Sequence, residues 1–253
     1  MNEFLKECFT KIGWDQDTLA FDDLPRFLTK LAYQLPFENR AVLEKHQYDM
    51  SRDGLWNHIV KERHGGLCYD LNGFLYYVLF EAGFDVRLIS GTVYTQKEGQ
   101  WALEGTHAVV LLSTEEGDYI IDIGFGVNLA LQPIPLSGQI VEAATGKYRI
   151  IEQQTEMGSH VLEMDKGEGW QTGYAFTLKE IEADDLSAMR DIIYHHDLSP
   201  FNKKPLASKL SPDGYLVLTE DHLTVNRKNG ESAKENIHAS DFGRKLEEHF
   251  FKQ

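Results

Sequence analysis

His64-Gly65-Gly66-Leu67-Cys68-Tyr69-Asp70-Leu71-Asn72 is a glycine turn running into a helix with a cysteine in its first turn. From Leu71 the apolar residues Phe74, Leu75, Val78, Leu79 and Ala82 recur at three- and four-residue steps, which predicts a helix with one buried face ending at Gly83. Cys68 is therefore expected at a helix N-terminus, where unpaired N–H groups and the positive end of the dipole favour thiolate over thiol. The competing reading is a buried cysteine acting as a small hydrophobe.

Upstream, Phe4, Leu5, Cys8, Phe9 and Ile12 share one face of a helix over residues 2–12, so Cys8 reads as core. A second helix starts at Asp22 or Asp23 with Pro25 in its first turn and stops at Pro36. A third runs from about Arg52 to Arg63, which makes the first 83 residues a helical bundle. Downstream of Asp85 the period becomes that of strands: Val86–Tyr94, His107–Leu112, Asp118–Ile123, Tyr148–Gln153, His160–Met164 and Gly173–Thr177. Residues 179–195 return to helix. Strands at Tyr215–Thr219 and His222–Val225 then lead to a closing helix near Ser240–Phe251.

With a loop over Ser113–Glu116, Leu112 pairs with Gly117 and His107 falls opposite Asp122; a two-residue slip keeps the two on one face, diagonally. An imidazole held by a carboxylate at one nitrogen can take a proton at the other, as a nucleophilic thiol requires. Cys68, His107 and Asp122 thus make a complete thiol site.

Composition narrows the classes. A net charge of −15 over 253 residues leaves no basic footprint for nucleic acid or an anionic membrane. No apolar run approaches membrane-spanning length. Two cysteines without an N-terminal signal point to a cytoplasmic protein with free thiols. No metal is expected, because His195-His196 lacks companions at ligand spacing and there is no paired-cysteine motif. Gly124-Phe125-Gly126 is not a dinucleotide fingerprint.

Pro36-Phe37-Glu38-Asn39, Gly65-Gly66-Leu67-Cys68, Thr106-His107, Asp122-Ile123-Gly124-Phe125-Gly126, Ser199-Pro200-Phe201 and Ser211-Pro212-Asp213-Gly214 together resemble the arylamine N-acetyltransferases over nearly the whole chain. The resemblance implies an α+β fold in three parts with a cysteine-protease-like thiol site. These are a helical bundle (1–84), a β-barrel (85–178), and an interdomain helix with an α/β lid (179–253). It implies ping-pong transfer of acetyl from acetyl-CoA, through a cysteine thioester, to arylamines, hydrazines or N-hydroxyarylamines. Carried over, Cys68 is the nucleophile, His107 takes its proton and Asp122 orients His107. Phe37, Phe125 and Phe201 match acceptor-pocket aromatics, and backbone N–H groups near Cys68 and Thr106 are candidates for the oxyanion. Gly124 and Gly126 match the turn that coenzyme A approaches, and Lys203-Lys204 with Lys209 are the nearest basic cluster for its phosphates.

Two positions depart from the pattern: His64 stands where the family has arginine and Asp70 where it has glutamate. Either Arg63 or His64 is then expected to pair with Glu38, the latter giving a stability that depends on pH near neutrality. A thiol hydrolase or an amide-forming synthase would use the same cysteine, histidine and aspartate. A non-catalytic ligand-binding relative is disfavoured by the intact three.

Overall fold

The computed structural model describes residues 3–251. The expected start of the first helix at Asn2, and the outer limits Met1 and Gln253 of the first and last parts, lie outside the described residues. Helix α1 (Glu3–Ile12) buries Leu5, Cys8, Phe9 and Ile12. Helix α2 (Leu24–Gln34) carries Pro25 in its first turn and buries Leu24, Phe27, Leu28 and Leu31. A short 3-10 turn, Phe21–Asp23, precedes it, so Asp23 does not cap α2; its carboxylate instead accepts from the Ala20 N–H at 3.1 Å. After Pro36 come strand β1 (Phe37–Glu38) and helix α3 (Arg40–Leu43). Helix α4 (Arg52–Trp56), capped by the Ser51 hydroxyl, continues as a π turn over Asn57–Lys61. Helix α5 (Cys68–Glu81) follows and is buried on most sides.

Strands β2 (Asp85–Thr95), β3 (Gln100–Trp101), β4 (His107–Thr114), β5 (Gly117–Ile121), β6 (Ile134–Pro135), β7 (Val141–Ala143), β8 (Gly146–Thr155), β9 (Gly158–Asp165) and β10 (Trp170–Ile181) form one antiparallel sheet. Its order is β6-β5-β4-β2-β10-β9-β8-β7, with β3 beside β2. The sheet curls until β6 approaches β8, which nearly closes a barrel. Strand β4 is apolar along its whole length because both faces are covered. Ala108, Val110 and Leu112 pack on the bundle, whereas Val109 and Leu111 fill the barrel.

Helix α6 (Ala183–His195) connects to β11 (Leu206–Ser211), β12 (Gly214–Thr219), β13 (His222–Arg227) and β14 (Ser232–Asn236). The predicted helix start at 179 is four residues too early: β10 stays paired with β2 through Ile181, and Glu182 is the first residue to leave the ladder. The chain closes with a 3-10 turn, helix α7 (Phe242–Leu246) and a π turn over Glu247–Phe251, where one continuous helix was expected. The second sheet runs β1-β11-β12-β13-β14, so the bundle lends the C-terminal sheet an edge strand.

Candidate active site

The turn that presents Cys68 is specified by close packing. A Cβ on Gly65 would lie 2.2 Å from the Pro36 carbonyl oxygen, and one on Gly66 2.4 Å from Asp70 Cβ, so neither position admits a side chain. Asp70, in the first turn of α5, reaches back: its Oδ2 accepts from the Leu67 N–H at 2.9 Å, and its Oδ1 accepts from the Tyr48 hydroxyl at 2.6 Å. Burial raises the Asp70 carboxyl to about 7, against the pull of the two donors. Helix geometry leaves the Cys68 and Tyr69 N–H groups without intrahelical acceptors. The Cys68 Sγ sits 3.2 Å from the Thr106 carbonyl oxygen, half-buried, at the seam between bundle and barrel.

His107 opens β4 and is 2% exposed. Its Nε2 lies 2.8 Å from Asp122 Oδ2, which leaves Nδ1 as the ring's other nitrogen. Burial alone would hold the imidazole neutral, but the Asp122 carboxylate and the Cys68 sulfur outweigh it and raise the ring to about 10. Burial opposes ionisation of Asp122 as well, yet His107, Asn72 and the Gly124 N–H hold its carboxyl below the usual range. The hairpin register differs from the expected one by two residues. Thr114 pairs with Gly117, Leu112 with Tyr119 and Val110 with Ile121, around a two-residue turn. Asp122 lies just beyond the ladder, diagonal to His107, and the period-two pleat keeps both on the barrel side.

Asn72, wholly buried one turn after Cys68, ties these pieces together. Its Nδ2 donates to Asp122 Oδ1 at 2.8 Å and to the Ala108 carbonyl at 2.7 Å, while its Oδ1 accepts from the Ile123 N–H at 2.9 Å. Asp122 Oδ1 also accepts from the Gly124 N–H at 2.7 Å. The sequence reading assigned Asn72 no role; a polar amide in the middle of an otherwise apolar helix face was the available signal. Tyr174 was missed too. Its ring packs 4.6 Å from His107 and 5.3 Å from Phe125, and burial followed by the Asp122 charge keeps its hydroxyl protonated.

Of the expected ligand residues, Phe125 stands 5.4 Å from the His107 ring, and Phe37 and Phe201 meet edge to face at 5.7 Å. Phe37 also bridges to Gly66, which brings this pair beside the cysteine turn. Thr106 is buried, with its hydroxyl donating to the Leu103 carbonyl. Gly124 is close-packed against the cysteine itself: a Cβ there would lie 2.6 Å from Cys68 Cα and 2.8 Å from Asn72 Nδ2. Gly126 takes a left-handed φ of +62°. Lys203 is exposed, Lys204 is paired with Glu220, and Lys209 is turned away to donate to the Phe250 carbonyl at 2.6 Å.

The expectation that Arg63 or His64 pairs with Glu38 is overturned. Glu38 accepts from the Gly65 and Arg40 backbone N–H groups and has the Arg40 guanidinium at 4.0 Å. Arg63 donates to the Phe251 carbonyl instead. His64 is lowered to about 4, chiefly by burial, so it does not titrate near neutrality.

A cysteine at a helix N-terminus, joined across a domain seam to a histidine and aspartate on a barrel edge, defines a thiol-dependent enzyme. Residues 20–251 match the N-acetyltransferase family. The chain is 58% identical over 99% of its length to the uncharacterized acetyltransferase YvcN of Bacillus subtilis, covering 98% of that protein. It superposes on the (BACCR)NAT3 arylamine N-acetyltransferase of Bacillus cereus with a TM-score of 0.95, at 39% identity and 99% coverage of both chains. That enzyme is described as having a unique Cys-His-Glu catalytic triad. The Mycobacterium marinum arylamine N-acetyltransferase in complex with CoA superposes at 0.86, with 26% identity, 97% of this chain and 92% of that one. The chain belongs to the arylamine N-acetyltransferase family and is an acyltransferase. Among the described residues no helix is long and apolar enough to cross a membrane.

Proposed function

We propose that the chain transfers acetyl from acetyl-CoA to an arylamine, hydrazine or N-hydroxyarylamine through a thioester on Cys68. The observation that carries this reading is the 2.8 Å His107–Asp122 pair beside the Cys68 sulfur at the first residue of a helix. With the ring protonated, the sulfur is available as thiolate and attacks the thioester carbonyl. Coenzyme A departs as a thiol, taking the proton from His107. The neutral amine then attacks the acetyl-Cys68 carbonyl and gives up a proton to His107, and the Cys68 thiolate is released. In this reading the Cys68 N–H and a backbone N–H near Thr106 stabilise each tetrahedral oxyanion.

In this reading Phe37, Phe125 and Phe201 form the wall on which an aromatic amine stacks. The Gly124–Gly126 turn takes the pantetheine end, and Lys203 and Lys204 take the phosphates, Lys204 exchanging Glu220 for a phosphate oxygen. The three-part division at 84/85 and 178/179 separates the cysteine from its histidine and aspartate, so the site lies where parts meet. Two free thiols support a reducing, cytoplasmic setting.

Intact-protein mass spectrometry with acetyl-CoA alone, then with a simple arylamine, tests the reading. One acetyl group mapped to Cys68, discharged as acetylated amine forms, is the expected result. Loss at the same rate without amine would make the protein a thioester hydrolase, and no modification would refute acetyl-CoA as donor. Charge reversal at Lys203 and Lys204 is expected to raise KM for acetyl-CoA; an unchanged KM would place the phosphates elsewhere.

A further inference from the structure

In the segment that leads into the cysteine turn, His58, Glu62 and His64 meet His46 from the preceding loop. Glu62 Oε2 is 3.8 Å from His46 Nε2, 4.0 Å from His64 Nε2 and 3.8 Å from His58 Nδ1. The donor atoms of His46, Glu62 and His64 all lie within 4.8 Å of one another. We propose that His46, Glu62 and His64 bind one divalent first-row transition-metal ion, with zinc the best fit.

The geometry is close to what such an ion needs. Tetrahedral Zn²⁺ with bonds of roughly 2.0–2.1 Å holds its ligand atoms about 3.3 Å apart. The carboxylate, half-exposed at the end of the π turn, can swing in to close the difference. The imidazoles are already held. His58 stacks on Tyr48 at 3.7 Å with an interplanar angle of 6°, and His64 stacks on His58 at 4.5 Å and 19°. Water reaches a fourth position through the partly exposed His46 and Glu62.

An independent observation points to a cation here. The His58 side chain has no exposure, and neither of its ring nitrogens has a hydrogen-bond partner; His64 Nδ1 is in the same condition. Buried donors and acceptors are normally paired. An ion that draws the Glu62 carboxylate into the cluster brings it toward His58 Nδ1. Two imidazoles and a carboxylate select zinc, cobalt or nickel over calcium or magnesium. Two guanidinium charges bear on these histidines: that of Arg40 is shared between Glu38 and Glu247, and that of Arg190 donates to the Tyr48 carbonyl and lies 3.6 Å from Asp191. Residues 46, 62 and 64 have no ligand spacing along the chain, which is why a reading of sequence alone expects no metal.

The site is distinct from the thiol site but linked to it. His64 begins the glycine turn, and Tyr48, stacked on His58, donates to the Asp70 that caps α5. A bound ion therefore fixes the base of the Cys68 turn.

Isothermal titration of Zn²⁺ and the visible spectrum of Co²⁺, both on the full chain carrying Cys68→Ser to remove the active-site thiol, test the proposal. One ion per chain, a dissociation constant below about 10 μM and a tetrahedral Co²⁺ spectrum without a sulfur band are expected. Glu62→Gln and His64→Gln should each weaken binding by at least about tenfold. Glu62 is exposed enough that its variant keeps the fold. Hydrogen exchange at Gly65–Leu67 should slow when Zn²⁺ is added. Absence of saturable binding, or affinity unchanged within about threefold in both variants, would overturn the proposal.

Discussion

Replacing Asp122 with asparagine isolates the electrostatic half of the site, because the structure dictates how the amide must sit. Oδ1 of Asp122 accepts from Asn72 Nδ2 at 2.8 Å and from the Gly124 N–H at 2.7 Å. An asparagine has to keep its oxygen there; the flipped amide would set its NH2 against two donors and leave them buried without acceptors, at about 1–3 kcal/mol each. The amide NH2 therefore faces His107 Nε2 and converts that nitrogen from donor to acceptor. The ring proton moves to Nδ1, the nitrogen that has to receive the thiol proton. The same tautomer reversal in a serine triad costs about 10⁴ in kcat, and a loss of about that size is expected here in acetylation of Cys68. The ring also loses the charge that raises it to about 10, so burial makes it neutral at pH 7. Stopped-flow acetylation, with iodoacetamide alkylation of Cys68 followed against pH, measures both consequences. The variant's Cys68 should be alkylated more slowly than the parent's at pH 7, because no imidazolium stands beside the sulfur. Thermal melting should show a loss under about 1.5 kcal/mol, since packing and two hydrogen bonds are kept. A folded variant that acetylates Cys68 within threefold of the parent would refute the assignment of His107 and Asp122.

Asn72→Ala leaves the Ala108 carbonyl and the Ile123 N–H unpaired; a stability loss of about 3 kcal/mol in urea denaturation is expected, with a roughly 10²-fold drop in acetylation as Asp122 loses its placement. Asp70→Asn can keep the Leu67 N–H on its oxygen and offer its NH2 to the Tyr48 oxygen. The parent's carboxyl is raised to about 7, so its native state holds a proton that the unfolded chain has released, and stability falls as pH rises from about 4 to 7. Urea denaturation at pH 5 and pH 8 should show that loss, about 2.7 kcal/mol between the two, in the parent and its removal in the variant; equal differences would refute the buried-acid account. Gly124→Ala places a methyl 2.6 Å from Cys68 Cα. The seam must open to admit it, and acetylation should fall about 10²-fold while far-UV circular dichroism is retained.

Elements with strong periodicity were legible. Leu71 to Ala82 read as a helix and is one, although the expected single buried face is overturned, since residues 69–75 are buried on every side; Ala108 to Leu112 read as a strand and is one. What the sequence hid depends on partners distant along the chain. Strand β1 is two residues long and exists because β11 lies beside it; Ser232–Asn236 is exposed throughout and is a strand only through β13. The hairpin register escaped by two residues because Glu115 and Glu116 carry no turn signature of their own, and the pleat made the error harmless for the face on which His107 and Asp122 meet. Tyr48 was invisible as a positioning group since it acts through a side chain that only the fold brings near, and Asn72 showed only as a polar amide on an apolar helix, its partners Asp122, Ala108 and Ile123 being 36 to 51 residues away. The glutamate-to-aspartate departure at Asp70 has the same explanation, because Tyr48 reaches the carboxylate that the capped turn holds.

The acid of the site shows how far the constellation is built into the backbone. The Bacillus cereus relative is described as using glutamate in its triad, whereas this chain has Asp122. Here the carboxylate does two things through two oxygens. Oδ2 holds His107, and Oδ1 closes a turn onto the N–H of Gly124, two residues on. That local turn suits the short aspartate side chain; one more methylene would widen the ring and press on Asn72, which is wholly buried. The turn in turn sets Gly124 against Cys68 Cα, so the same carboxylate that orients the imidazole also fixes the wall behind the sulfur. An exchange of acid in this fold is therefore a change of turn and seam as well as of triad, and a glutamate could serve only with compensating changes around Asn72 and Gly124.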